Sequence, residues 1–432
     1  MSSERRIEVD YLARVEGEGA MYLELDGSEV RDLKFKIFEP PRFFEAFLRG
    51  RKHSEAPDIT ARICGICPIA YQMSACNALE AAAGATITNG IRSLRRLIYF
   101  GEWLESHGLH VFFLHAPDFL GYDNGIAMAK DHPERVEAGL RLKKLGNEIM
   151  TVVGGREIHP VNVKVGGFYR APRVEELASL KEELEWGLGA AIDTAEWVST
   201  LSFPDFERDY EFVAVRHPDE YGMLDGRIVS SAGLDISPEE WPEHFIESHV
   251  EWSNALHARK VGGGSYHVGP MARYSLNYEW LSPAAKEAAS RAGLGPVCRN
   301  PFQSIVVRSV EMVHACETAL EIVANYKQPD APSVEVDPSG KIGHGVSEAP
   351  RGLLYHRYEV DDDGLIADAH IVPPTSQNQL SIEDDLRAYV PLHAHLDDAT
   401  LQWQLEQAIR NYDPCISCAT HFLDLEVKRT DR

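Results

Sequence analysis

Between residues 5 and 39 apolar and polar positions alternate, in IEVDYLARVEG, AMYLELDG and VRDLKFKIF, with glycine-containing turns between them. A period of two predicts strands, here a small antiparallel sheet. The period then lengthens. AYQMSACNALEAAAG predicts a helix that stops at Gly84, a residue suited to a C-cap. Apolar spacing of three and four predicts further helices over 91–115, around 133–150, over 173–200 and over 302–326. Segments 209–235 and 353–371 read as strands and loops, and a last helix at about 397–410 delivers the chain to Asp413. There is no internal repeat, low-complexity stretch or obvious linker. Length alone allows one to three domains; the pattern predicts a predominantly helical α+β chain, read as one domain over 1–432 if its large helix-bundle core is single, with peripheral antiparallel β-sheets.

Composition narrows the partners. The chain has 432 residues and a net charge of −24, which argues against nucleic acid and anionic membrane surfaces. No apolar run approaches the ~18 residues needed to span a bilayer, so no membrane span is expected. The N-terminus MSSERRIEVDYLARVEGEG has no apolar signal core, so no targeting signal of the chain's own is expected. Seven cysteines, an odd number without framework spacing, suggest a reducing compartment.

Four of the seven form two Cys-x-x-Cys pairs, Cys64 with Cys67 in RICGICPIAY and Cys415 with Cys418 in DPCISCATH. Each offers two soft sulfur ligands one turn apart. Four thiolates at one point suit zinc, iron–sulfur, copper or another thiophilic ion. Structural zinc usually draws its pairs from one small module, about 15–20 residues apart. Here about 350 residues separate them, and a chain this long buries ample core without a metal staple. The spacing favours a functional metal centre. Cys76, Cys298 and Cys316 cannot complete a four-cysteine cluster of their own, so a relay for electrons must come from another subunit.

The order of motifs resembles the large, catalytic subunit of nickel–iron hydrogenases from end to end. The matching blocks are RVEGEG (Arg14 to Gly19), RFFEAFLRGR (Arg42 to Arg51) with RICGIC, HAPDF (His115 to Phe119), GREIHPVNVKVGGFY (Gly155 to Tyr169), GVSEAPRGLLYH (Gly345 to His356), VPPTSQN (Val372 to Asn378) and DPCISCATH. The resemblance implies nickel held by all four thiolates, Cys64 and Cys415 terminal, Cys67 and Cys418 bridging to an iron with carbonyl and cyanide ligands. Thiolates stabilise redox-active nickel, and a terminal thiolate can take a proton from dihydrogen as it splits.

The resemblance also assigns roles to residues that would look ordinary alone. Glu16, otherwise a solvated turn residue, takes the proton from Cys415. Arg351, otherwise a surface arginine or a partner of Glu348, lies over the open metal face, beside Pro350, and donates to a cyanide. Thr375, otherwise a turn residue, donates to the other cyanide, and Asp413 joins the polar canopy near Arg351. Glu45 and His421 match the residues that hold a second, hard cation, usually magnesium. By contrast, His107, His110 and His115 read as satisfied buried histidines, and Cys76 as core.

Two positions depart from many family members: Tyr71 stands where histidine is common, and Ser106 where aspartate is common. Tyr71 followed by QMSA is similar to the cytoplasmic, bidirectional, NAD(P)-linked branch. That implies an iron–sulfur small subunit and flavin or NAD(P) diaphorase subunits as partners. No segment of the chain supplies a G-x-G-x-x-G nucleotide fingerprint. Family precursors are cut after the position of His421, so residues 422–432 are expected to be a cleavable extension, handled by a maturation chaperone and an endopeptidase. Alternative readings are a hydrogen-sensing subunit of the same fold and a metal-free respiratory scaffold.

Overall fold

The structure, a computed structural model, describes residues 4–421. The expected extension, 422–432, lies outside the described residues. Strands β1 (Glu4–Val9), β2 (Gly19–Asp26) and β3 (Glu29–Ile37) form an antiparallel meander, as their period of two predicts. Its inner face, with Leu23, Leu25, Leu33 and Phe35, is buried. After the short helix α1 (Phe44–Leu48), helix α2 (Pro68–Ala83) starts directly at Cys67. Pro68 occupies its first turn, where no N–H is needed, and Gly84 closes it in the left-handed region at φ 68°.

Two long helices follow, α3 (Asn89–Leu109) and α4 (Pro133–Gly154), packed against each other. A methyl group at Gly146 would meet the carbonyl of Gly101 and sit 2.6 Å from Glu105 N, so glycine sets how closely these backbones approach. Helix α5 (Lys181–Ser199) and the central helix α6 (Ser304–Asn325) complete the bundle. A second meander, β4 (Ile342–Ala349), β5 (Gly352–Val360) and β6 (Ile366–Val372), is antiparallel throughout, and β4 lies on α2. Helices α7 (Pro374–His393), α8 (Asp398–Arg410) and the single turn α9 (Ile416–Ala419) end the described chain.

Three departures from the pattern are informative. The segment 91–115 is not one α-helix: beyond Leu109 the coil widens to a π-turn over His110–His115. The segment 173–200 breaks after Val174–Ala178, and both Leu177 and Leu180 turn inward at the break. Helix α7 falls where only a motif was read. Its first turns, Thr375 to Gln379, are polar yet buried, so no apolar stripe announces them.

Among the described residues, buried side chains form three clusters. One joins α2 to α6 around the four paired cysteines. A second lies between the first meander and α7 and α8 and reaches Ile416 and Ala419. The third backs β4 to β6. Among the described residues no helix is long and apolar enough to cross a membrane.

Candidate metal centre

The two Cys-x-x-Cys pairs meet. All four sulfurs lie within 4.8 Å of one another, and each residue is at most 3% exposed. Cys64 Sγ lies 3.4 Å from Cys415 Sγ, Cys67 Sγ 3.5 Å from Cys418 Sγ, and Cys415 Sγ 2.8 Å from Cys418 Sγ. A tetrahedral ion with bonds of about 2.3 Å to sulfur places its ligands about 3.8 Å apart, within this range. Charge makes the same point. Hydrogen bonds from the other three cysteines hold Cys64 well below the usual thiol range, whereas burial first of all pushes Cys67, Cys415 and Cys418 up. Packed together without a cation, one thiol ionises at the expense of its neighbours; a thiophilic cation removes that conflict. The donor set therefore fits a metal.

The first pair is presented by the start of α2: Cys64 is extended, Cys67 caps the helix, and the N–H groups of Ile66 and Cys67 both point at Cys64 Sγ at 3.4 Å. The second pair is held by the opposite end of the chain. Glu16 and Cys415 form a short parallel bridge in which Ile416 N donates to Glu16 O at 2.9 Å. Glu16 Oε2 then stands 3.1 Å from Cys415 Sγ and accepts Ser417 N–H at 3.0 Å. Burial, then the charge on Cys64, raises the Glu16 carboxyl above its ordinary value. Arg14, one turn earlier and itself left-handed at φ 61°, shares Asp118 with Arg410, fixing this segment against the helices.

Above the sulfurs lies a polar canopy. Pro350 and Arg351 form the two-residue turn between β4 and β5, where Ala349 pairs with Gly352. Arg351 is 2% exposed, and its Nη1 has no partner among the described residues. Its ion-pair partner is Asp413, not Glu348. Glu348 instead faces Arg273, at 3.3 Å. Burial raises the Asp413 carboxyl, against the pull of Arg351. Thr375 lies in the first turn of α7 rather than in a loop. Its Oγ1 accepts Cys415 N–H at 2.9 Å, leaving the hydroxyl proton free to donate. The orphaned Arg351 nitrogen and the Thr375 hydroxyl are the donors that a polar ligand on a metal needs.

A second cluster lies beside the thiols. Glu45 Oε1 accepts Ile371 N–H at 2.8 Å, His421 Nε2 lies 2.6 Å from Ile371 O, and the two side chains are 3.6 Å apart. His421 titrates higher than usual: burial alone would lower it, and Glu45 outweighs that.

The remaining positions are buried. Tyr71 packs on His356 with ring centroids 5.7 Å apart, and burial keeps its phenol protonated. Ser106 Oγ is buried without a partner among the described residues. His107 Nε2 meets Glu311 at 2.9 Å, and His110 Nε2 meets Arg410 O at 2.8 Å. Burial pushes the Cys76 thiol up to about 12, as for a core residue.

Several residues carry no local signature. Arg273 grips Glu311 with two nitrogens, at 2.6 and 2.8 Å, and holds the carbonyls of Ala349 and Pro350. Glu102 caps α2 through Ile69 N at 2.5 Å. Glu39 accepts Ser417 Oγ–H at 2.7 Å. Only a fixed tertiary arrangement brings these groups together; a glutamate just past the end of an alternating strand, as Glu39 is, gives no warning of a partner at position 417.

The family model described as nickel-dependent hydrogenase matches residues 42–138 and 255–421. Sulfhydrogenase 1 subunit alpha of Pyrococcus furiosus is 34% identical over 423 residues, 97% of this chain and 98% of that protein. The NAD-reducing hydrogenase HoxS subunit beta of Cupriavidus necator is 29% identical, over 97% of this chain and 95% of its own length. Among solved structures, an NAD+-reducing NiFe hydrogenase in the H2-reduced state superposes with a TM-score of 0.89 at 27% identity, covering 98% of this chain and 100% of that one.

Proposed function

This chain belongs to the nickel-dependent hydrogenase family, as a large subunit and an oxidoreductase acting on hydrogen, and from that premise we propose how its residues serve the reaction. Cys64, Cys67, Cys415 and Cys418 would hold a nickel–iron centre whose iron carries carbonyl and cyanide. When bound, that group supplies the redox and Lewis-acid chemistry that cleaves dihydrogen heterolytically. The protein's part is to orient and to move protons. Glu16, half-buried, receives the proton at Cys415 Sγ, and its raised pKa suits a group that both takes and releases one. Arg351 aims a fixed charge over the open face, oriented by Asp413 and seated by the Pro350 turn. Thr375 fixes the Cys415 backbone and keeps a hydroxyl donor for a cyanide. Glu45, the Ile371 carbonyl and His421 would supply two oxygens and one nitrogen to a magnesium ion in place of the bonds they make to one another.

The observation that carries this reading is the 3.1 Å contact between Glu16 and Cys415 inside an enclosed four-sulfur site. It disfavours a metal-free scaffold, which has no use for four converging thiols. Electrons leave to an iron–sulfur small subunit and on to flavin and NAD(P) subunits in the cytoplasm; two NAD-reducing relatives support this acceptor. The relative with 34% identity, named a sulfhydrogenase, favours a second acceptor, reducible sulfur. A chaperone and an endopeptidase complete maturation.

The experiment is elemental analysis of the chain from its own host, followed by hydrogen-dependent reduction of NAD+, NADP+ and polysulfide. About one nickel and one iron per chain with turnover supports the centre, and the fastest acceptor identifies the branch. Zinc in place of both metals sinks the reading.

A further inference from the structure

Glu39 closes the first meander, immediately before Pro40 and Pro41, and its carboxylate is folded back over the segment that carries Glu16. A methyl group on Gly17 would lie 2.5 Å from Glu39 Oε2, and the φ of +91° there already favours glycine. Glu39 Oε2 also accepts Glu18 N–H at 3.3 Å, and Oε1 accepts Ser417 Oγ–H at 2.7 Å. Ser417 in turn gives its N–H to Glu16 Oε2 at 3.0 Å. One serine therefore stands between two carboxylates, its amide on Glu16 and its hydroxyl on Glu39. The amide nitrogen and the hydroxyl belong to one serine, so a side-chain rotation or a bridging water would bring that hydroxyl to Glu16. Glu39 reaches outward: its side chain is 15% exposed, and its charged neighbour is Arg42, with Nε at 3.9 Å.

Accordingly, we propose that Glu39 is the next proton carrier beyond Glu16, with Ser417 as the hydroxyl bridge between them. The step conserves one proton. The O–H bond of protonated Glu16 breaks as Ser417 Oγ gains that proton; the original Ser417 O–H bond breaks as Glu39 gains its proton; Glu39 then releases it to water. A hydroxyl can do this because it donates and accepts at once. No electron moves and no further reactant is needed. The inference rests on the Glu16 reading above and extends it to the surface within this one chain. It also gives Gly17 a purpose, since any side chain there would push the Glu39 carboxylate off Ser417.

The test is isotope exchange between deuterium gas and ordinary water, in the holoenzyme from its host, for Glu39→Gln, Ser417→Ala and Glu16→Gln. Glutamine still accepts from Ser417 and Glu18 but cannot carry a proton. We expect Glu39→Gln and Ser417→Ala to slow exchange by about tenfold or more. Nickel and iron per chain should stay at the wild-type level, and one carboxyl C=O band should disappear from the infrared difference spectrum of Glu39→Gln. Slow exchange in Glu16→Gln with normal exchange in Glu39→Gln overturns the Glu39 assignment alone. Normal exchange in both overturns the Glu16 reading as well. Loss of metal from Glu39→Gln assigns it a structural role and overturns the proposal.

Discussion

Arg351 holds Asp413 at two points: Nε donates to the Asp413 backbone carbonyl at 2.8 Å, and Nη2 to Oδ1 at 3.2 Å. Both residues are at most 2% exposed, and Asp413 adopts a positive φ of 51° two residues before Cys415. The guanidinium is thus fixed to the segment that supplies two of the four sulfurs, while Nη1 keeps a donor in reserve. Lysine cannot reproduce this fork. Arg351→Lys is expected to lower hydrogen turnover by about 100-fold while nickel and iron stay in place. Wild-type turnover with an artificial acceptor would remove Arg351 from the mechanism.

Beneath that turn, Arg273 is the cation for two fully buried carboxylates, Glu311 and Glu348, and stacks on Trp103 at 4.2 Å. Tyr221 and His107 also bond Glu311. Arg273→Met removes the cation and leaves both acids without it. Breaking a buried pair from one side costs about 3–5 kcal/mol. Denaturant unfolding should show a loss of that order; a change below about 1 kcal/mol would mean that the acids are already neutral.

His107 makes stability depend on acid pH. Burial lowers its pKa to about 4, against an ordinary 6.5. Between those values the folded chain leaves His107 neutral while the unfolded chain binds a proton there. Stability from this residue is therefore present above pH 6.5 and lost as pH falls through the window to about 4, in total about 3 kcal/mol. His107→Gln keeps a donor for Glu311 but cannot titrate. Its unfolding should take up up to one proton fewer than wild type at pH 5; identical uptake would contradict the depressed pKa.

The cysteines divide sharply by role. Cys76 sits in the same buried cluster as the paired cysteines but touches none of them through sulfur. Cys76→Ala should cost about 1 kcal/mol from a small cavity and leave metal content unchanged. Cys418→Ala should abolish nickel and iron loading, measured by elemental analysis. Full metal content in the second variant would mean that three sulfurs suffice.

Much of the centre was legible in the sequence because its ligands come in short motifs. The two cysteine pairs carry a local signature, RVEGEG and EAPRG are legible only through the family resemblance, and the structure brings Glu16, Arg351, Thr375 and Asp413 around the sulfurs. The first meander was legible because one of its faces meets water and the other the core. Helix α7 was not, because its buried first turns are Thr, Ser, Gln and Asn, several of them held by backbone partners: Gln377 bonds Leu353 O, and Asn378 both donates to and accepts from Val268. Hydrophobic period cannot see a polar core. The Arg273 cluster was hidden for another reason. Its members stand at 107, 221, 273, 311 and 348, and no spacing rule links them.

The bridge between Glu16 and Cys415 ties the site to the order in which the chain is made. Residue 16 leaves the ribosome early, and Cys64 and Cys67 soon after, but their partners follow about 350 residues later. At 5–20 residues per second that interval is roughly 20 to 70 seconds. Throughout it the first pair has neither its sulfur partners nor Glu16's final seat, and any soft ion in the cell can reach it. A four-sulfur site cannot exist before the last residues of the chain are made, and the Glu16–Cys415 bridge joins its earliest segment to its latest.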